Sequence, residues 1–435
     1  MRKLVLTLAA ASPLIAPLAA QTPAVRLINA PDASTQPAFT FVAAVRQLPG
    51  GQLLVNDVVK RQLTLVDPSF AKLALVADSA AGSANSYGTR AGGLIPYVGD
   101  STLFVDPADL SMFVIDPHGA IARVASVPRS QDAALIGNNT VGSPGIDASG
   151  RLVYRGGAVR NFGGIAAMAK GGTIPDPPDT AALVRVDMAT RKLDTAAFYK
   201  IPRVKMNVQQ TEHGITASSE INPMPTVDDW SVLSDGTIAV ARGQDYHVDF
   251  IDNDGTLRSG AKVPFDWQKL TDEDKVAVLD SAKTAFERAR ASATSNGNGQ
   301  VVMGPPGGGG GVAGAVVMMR VEGGAGGGAP RVMSNDGAGG MPAVQFVSAN
   351  DLPDYRPAFS QGATRADLDG NLWIRTSATR NGSAGFIYDV VDRSGKLVDR
   401  IQIPAGRQIV GFGKGGVVYM AARDERGSWL ERTHR

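Results

Sequence analysis

An all-β, six-bladed propeller is the fold this 435-residue sequence predicts, and three observations predict it. A short apolar strand behind a turn residue occurs six times, a second apolar strand follows each copy, and the first copies stand about one propeller blade apart. The first strand reads Gly51–Asp57, Ser101–Asp106, Gly150–Arg155, Gly236–Arg242, Gly370–Arg375 and Gly416–Ala421. The second ends at Asp67, Asp116, Asp187, Asp252 and Asp392, and in the sixth copy at Thr433, where the acid is missing. Four copies run 15 to 17 residues from turn residue to strand end: Gly51 to Asp67, Ser101 to Asp116, Gly236 to Asp252 and Gly416 to Thr433. The other two are longer because they carry insertions, a Gly/Pro-rich loop at about 158–180 and Ser377–Ser383. Short strands between Gly, Asn, Asp and Pro turns are the signature of an all-β chain. Six blades in a ring form one closed domain with few exposed edges.

In chain order, the first element is an address. Met1-Arg2-Lys3 is a short positive start, residues 4–20 carry no charge, and Leu18-Ala19-Ala20 offers small residues before Gln21. This is the shape of a cleaved secretory signal, too short and too broken by Pro13 and Pro17 for the ~20 apolar residues of a spanning helix. The expected location is the periplasm or the exterior, with no membrane span after removal of residues 1–20. Without Arg2 and Lys3 the chain holds 41 basic and 41 acidic residues, down from 43 and 41. A neutral chain has no global attraction to nucleic acid. The absence of cysteine excludes disulfides, thiol catalysis and thiolate zinc sites.

The propeller is expected to fill residues 21–435. Ala24–Ile28 is expected to close the ring as the outer strand of the sixth blade, since the chain stops just after that blade's second repeat strand. An insertion in the fourth blade, 268–343, changes period. Val276, Leu279, Ala282, Phe286 and Ala289 form one apolar helical stripe. Thr271 and Asp274 make a capping box with Asp in the usual Glu place. A helix over 271–293 follows, packed on the propeller flank. Beyond it, residues 295–340 contain Pro305–Gly311 and Gly323–Gly328. Polyglycine loses much entropy on ordering and buries little, so this stretch is expected to be disordered, with at most a short strand near Val316–Met319.

The pattern resembles the NHL-type, TolB-like six-bladed propellers of exported bacterial proteins. The resemblance lies in Leu48–Asp57, Leu65–Pro68 and Asp367–Thr376; the last also resembles the propeller repeat of two-component sensor ectodomains. It implies architecture, since such folds host many activities.

Chemical motifs are sparse. Gly411–Gly416 spells GxGxxG, but a strand follows it and no helix N-terminus is available for a pyrophosphate. Ser69–Lys72 matches SxxK inside a hairpin turn. Four His residues (118, 213, 247 and 434) are scattered, and no metal site or cofactor is expected. Asp252–Gly255 and Asp367–Gly370 look calcium-like but are too short for an EF loop and are explained as turn formers. The strand-end Asp residues read as caps on backbone N–H groups.

What remains is a set of charges in and beside the loops at one end of the repeat strands: Asn56, Asp57, Arg61, Arg90, Asp106, Arg155, Arg242, Asp245, His247, Arg375 and Arg380. Converging on a central funnel, these Arg residues would suit a carboxylate or phosphate; as solvated or paired loop charges they would do nothing. The expected ligand-binding set is Asp57, Arg90, Asp106, Arg155, Arg242, Asp245, His247 and Arg375. The reading is a non-enzymatic, monomeric scaffold for a small anionic ligand or a protein partner. The alternative is a metal-dependent hydrolase or lactonase like the gluconolactonase propellers. That resemblance implies a Glu metal ligand on the first inner strand, and Phe39–Leu48 contains no acid. A different register could gather a cation on Asn56, Asp57, Asp106 and Asp228.

Overall fold

The computed structural model describes residues 22–435 apart from 81, 84, 89–91, 138–140, 158–177, 204, 212–213, 296–318, 323–330, 334–344 and 379–384. The signal segment, Arg90, Arg380, His213, most of the third-blade loop and both polyglycine runs therefore lie outside the described residues. Six antiparallel sheets make the propeller. Blade one is Val42–Gln47, Leu53–Asp57, Gln62–Val66 and Leu73–Asp78. Blade two is Gly93–Pro96, Thr102–Asp106, Ser111–Ile115 and Ile121–Ser126. Blade three is Gly145–Ile146, Leu152–Arg155, Thr180–Val186 and Leu193–Lys200. Blade four is Asp229–Val232, Ile238–Arg242, His247–Ile251 and Leu257–Ser259. Blade five is Thr364–Ala366, Leu372–Arg375, Ile387–Val391 and Leu397–Gln402. Blade six begins Arg407–Phe412, Val417–Asp424 and Gly427–His434.

The two strands seen in each sequence repeat are thus the second and third of each blade. Their apolar runs do not alternate because both faces of the sheet are covered; every residue of Leu53–Asp57, Thr102–Asp106 and Ile387–Val391 is buried. The core is correspondingly divided. Six apolar clusters fill the six blade–blade interfaces, from Leu54, Leu63 and Phe104 between blades one and two to Val55, Val66 and Tyr419 between blades six and one. Tight hairpins let the blades approach. Gly236 has φ 89°, and a Cβ there would stand 2.2 Å from the backbone nitrogen of Ala148 in blade three.

Closure differs from the sequence expectation. The fourth strand of blade six is Ala33–Ser34, paired with Arg432 and Glu431. Val25–Leu27 instead adds a fifth, parallel strand to blade five, from Val25 beside Arg400 to Leu27 beside Gln402. Pro31, which cannot donate a ladder hydrogen bond, separates the two. Ile28, 3% exposed, anchors the strap in the interface of blades five and six.

The insertion follows the last strand of blade four and precedes blade five. Its helix spans Asp272–Ser295. The expected capping box is present: Thr271 N donates to Asp274 Oδ2 (3.0 Å) and Asp274 N to Thr271 Oγ1 (3.2 Å). Leu279, Ala282 and Phe286 are buried, whereas Val276 is 49% exposed and leaves the stripe. Leu279 packs on Val347 and Leu352. A seventh sheet, absent from the sequence reading, joins Lys205–Thr211, Gly214–Ile221, Met319–Glu322, Arg331–Met333 and Gln345–Phe346. Two of its strands lie within the stretch expected to be disordered. Among the described residues no helix is long and apolar enough to cross a membrane.

The strap makes a simple prediction. Ile28→Ala should lower the unfolding free energy by about 2–4 kcal/mol in urea titrations, whereas Leu27→Ala, at a position 59% exposed, should change it by less than about 0.5 kcal/mol. Equal effects would contradict the assigned path of the N-terminal segment.

Candidate functional site

The first strands of all six blades surround a chamber of about 160 Å³ on the axis, lined by residues such as Val45, Leu94, Ser143, Val232, Ala366 and Val410. On the side of the loops joining first and second strands it widens into a mouth of about 800 Å³. The chamber wall is apolar or small except for Gln47, Ser143 and two arginines, Arg46 and Arg365, and it contains no acid.

Arg46 sits on the first strand of blade one and reaches into blade two. Its Nε donates to Thr102 Oγ1 (2.7 Å) and its Nη2 to Ser101 O (2.9 Å). Burial pulls its pKa down to about 10, against the opposing pull of Asp100. Arg365, on the first strand of blade five, donates through Nη1 to Thr364 O (2.8 Å) and Gly362 O (3.2 Å). Burial lowers its pKa too, with Tyr388 and Asp229 opposing and the charge of Arg375 adding to the shift. Among the described residues neither guanidinium has a carboxylate within ion-pair distance; their protein partners are a hydroxyl and backbone carbonyls. Both remain charged at neutral pH.

Beside the chamber, Asp229 joins three blades. It is 0% exposed. Its Oδ1 accepts from Gly142 N (3.0 Å) in the blade-three entry, and its Oδ2 from Thr364 N and Oγ1 (both 2.8 Å) in blade five. Burial raises its pKa, partly offset by the Thr364 hydrogen bonds. Trp230 O accepts from Ser143 N (2.9 Å) and lies 2.9 Å from Thr364 Oγ1, whose single proton it shares with Asp229, so backbone and side chain lock the same three strands. At the mouth, Asp147 and Asp367 are engaged locally. Asp147 accepts from Ser149 N, Arg151 N and Arg151 Nε, and Asp367 from Asn371 and Trp373.

None of the expected ligand-binding residues in the described part of the chain lines this chamber. They lie at the end of each second strand, opposite the start of the first strand, as Asp57 opposite Val42 shows, and so at the end of the blade away from the mouth. Asp57, fully buried, accepts from the backbone N–H groups of Thr40, Phe41, Val59 and Lys60. Asp106 does the same for Gly88 and Ala108. Asn56 donates to Gly92 O (2.8 Å). Arg242 bridges Asp228 (2.8 Å) and Asp249 (2.7 Å), and His247 lies between Asp245 (2.7 Å) and Asp249 (3.2 Å). Arg375 covers the Phe386 ring at 5.1 Å, and Arg61 is a left-handed turn residue with φ 53°. These groups therefore do not converge on the axis, and most are committed to the fold. Arg155 is an exception: its buried Nε has no hydrogen-bond partner.

Four of the five strand-end acids behave as turn chemistry dictates: Asp67, Asp116, Asp187 and Asp392 each accept from two backbone N–H groups of the following turn, whereas the Asp252 carboxylate pairs with Arg258. Sequence reasoning missed Arg46, Arg365 and Asp229. The available signal was a lone charge inside an otherwise uncharged first strand, as in Phe41-Val-Ala-Ala-Val-Arg46 and Gly362-Ala-Thr-Arg-Ala366. Among the described residues no three His, Asp or Glu side chains gather closely enough to hold a metal ion.

No family model and no curated protein matches the chain. Among solved structures it is similar to a gluconolactonase from Xanthomonas campestris, at 11% identity and TM-score 0.39, covering 96% of this chain and 99% of that one. It is also similar to the calcium-binding protein regucalcin from Agrobacterium tumefaciens, at 11% identity and TM-score 0.36, covering 94% and 98%. A third similar structure is an inactive variant of virginiamycin B lyase from Staphylococcus aureus, at 11% identity and TM-score 0.36, covering 91% and 96%. The six-bladed propeller is thus established by the strand topology itself, and similarities this distant carry no argument about activity.

Proposed function

We propose that this chain is an exported binding protein that takes a small organic anion, a carboxylate or phosphate on a compact apolar body, into its axial chamber. The observation that carries the reading is the wall composition: two guanidinium groups, no acid, and otherwise apolar or small side chains. A charge buried without a counter-ion is costly, and an entering oxyanion offsets that cost through charge-assisted hydrogen bonds. The chamber's 160 Å³ equals about five water volumes at ~30 Å³ each, enough for an anionic head. A larger body would extend into the mouth, where Asp100, Asp147, Asp235 and Asp367 favour an uncharged extension over a second anionic group. The uncharged N-terminal segment 4–20 supports export. The chamber wall presents no His, Asp or Glu to act as a base, which favours binding over turnover.

The metal-dependent hydrolase reading has less support. Val42–Gln47, the first inner strand, carries no acid, and Asp57 and Asp106 already serve backbone N–H groups. Asp228 is likewise bonded to Lys200 N, Gly243 N and Arg242.

A thermal-shift screen of small carboxylates and phosphates should find anions that raise the melting temperature. By calorimetry, Arg46→Met and Arg365→Met should each weaken the best of them by about 10- to 100-fold, the loss of a hydrogen bond to a charged group. Asp106→Ala should lower stability by about 2–4 kcal/mol through stranded N–H groups and leave affinity unchanged. No stabilising anion, or equal affinity in both Arg variants, would sink the proposal. For the alternative, calcium or zinc should leave the melting temperature of the purified protein unchanged; a rise of several degrees with bound metal by elemental analysis would restore the hydrolase reading.

A further inference from the structure

The second strand of each blade ends in a residue that most blades commit to the fold. Asp57 and Asp106 hold backbone N–H groups, Arg242 holds two carboxylates, and Arg375 covers Phe386. Blade three breaks the pattern. Arg155 is half-buried, and its buried Nε has no hydrogen-bond partner. Two further polar atoms nearby share that condition: the hydroxyl of Tyr199, on the outer strand of blade three, and Nε1 of Trp230, on the first strand of blade four. Tyr199 is 1% exposed and Trp230 0%. The two rings pack at 6.4 Å between centroids. Burial raises the Tyr199 pKa, the guanidinium of Arg155 opposes that rise, the charge of Asp229 adds to it, and the indole N–H of Trp230 beside the hydroxyl lowers it. Trp230 is fixed in place: a Cβ on Gly142 would lie 2.2 Å from its indole ring.

We propose that Arg155, Tyr199 and Trp230 form a second oxyanion site, between blades three and four, that accepts an oxygen of a ligand carboxylate or phosphate. The guanidinium and indole only donate, and the phenol donates as readily as it accepts. The indole N–H lies beside the Tyr199 hydroxyl without good hydrogen-bond geometry, and buried donors that lack a well-aligned acceptor are costly to the fold. A water molecule would satisfy N–H and O–H groups but bring no counter-charge. An oxyanion supplies both. Among the described residues no carboxylate is paired with Arg155, and the oxygens of neighbouring Asp229 are held by Gly142 and Thr364. None of the three residues lines the axial chamber, so the site stands apart from the function proposed above.

The test uses the full chain carrying 15N-indole tryptophan. Four Trp residues give separate Nε1–H resonances, and Trp230→Phe identifies the one concerned. Sodium acetate and sodium phosphate are titrated separately, against sodium chloride at equal ionic strength. The Trp230 resonance should move saturably with acetate, with phosphate or with both, which separates a carboxylate from a phosphate preference. Chloride should leave it in place. Arg155→Met should weaken the response at least tenfold, and Tyr199→Phe should weaken it several-fold. Arg155→Lys, which keeps the charge without the Nε–H, should retain a weakened response and serves if the Met variant does not fold. Arg365→Met, in the axial chamber, should leave the curve unchanged. A Trp230 resonance that stays fixed with both anions, follows chloride equally, or moves alike in both Arg155 variants and the parent protein would overturn the proposal.

Discussion

A sheet with two apolar faces is stable only with a neighbour on each side, and that constraint governs this molecule. Each blade is buried from both directions, and the six apolar clusters lie between blades instead of within one shared centre. An open row of blades would leave two faces exposed to water, so the ring must close. Residues 25–39 supply the closure, pairing with blades five and six and placing Ile28 and Phe39 in their interfaces. The chain has no disulfide to help; contact between adjacent blades carries the load.

Closure also makes the site. Six first strands crowd together at one axis, and glycines permit the approach: Gly411 lies against the Val45 backbone, Gly142 against the Trp230 ring and Gly145 against Val232. Asp229 is the polar counterpart of the apolar interfaces, holding blades three, four and five at one point. What is left on the axis is a narrow chamber whose wall carries Arg46 and Arg365 and no acid. Each guanidinium loses hydration in that wall, as the burial-lowered pKa of both shows. That arrangement is a poor choice for stability alone and a good one for holding an anion.

The propeller was legible because second and third strands are covered on both faces and therefore read as unbroken apolar runs between turns. The same reasoning explains the capping acids, whose partners are their own turns. The site was less legible. First strands are short and interrupted, as in Gly93–Pro96 and Gly145–Ile146, so Arg46 and Arg365 carried no repeat signal. Charges at the ends of the second strands were conspicuous, yet Asp57, Asp106 and Arg242 are taken up by partners in and beside their own blades. A residue type announces its chemistry, but whether that chemistry is already consumed depends on neighbours the sequence does not place. The seventh sheet was missed for a related reason: Lys205–Ile221 fits no position in a blade template, and its partners lie about a hundred residues downstream.

The central claim is that the axial chamber holds an anion through its two arginines, Arg46 and Arg365. Anomalous diffraction from crystals soaked in bromide or iodide tests it most directly, since a heavy halide reports anion density without knowledge of the natural ligand. The account predicts an ordered halide in the chamber within contact distance of Arg46 or Arg365, displaced by the best anion from solution screening. Halide found only on the outer surface, with the chamber empty of it, would contradict the account.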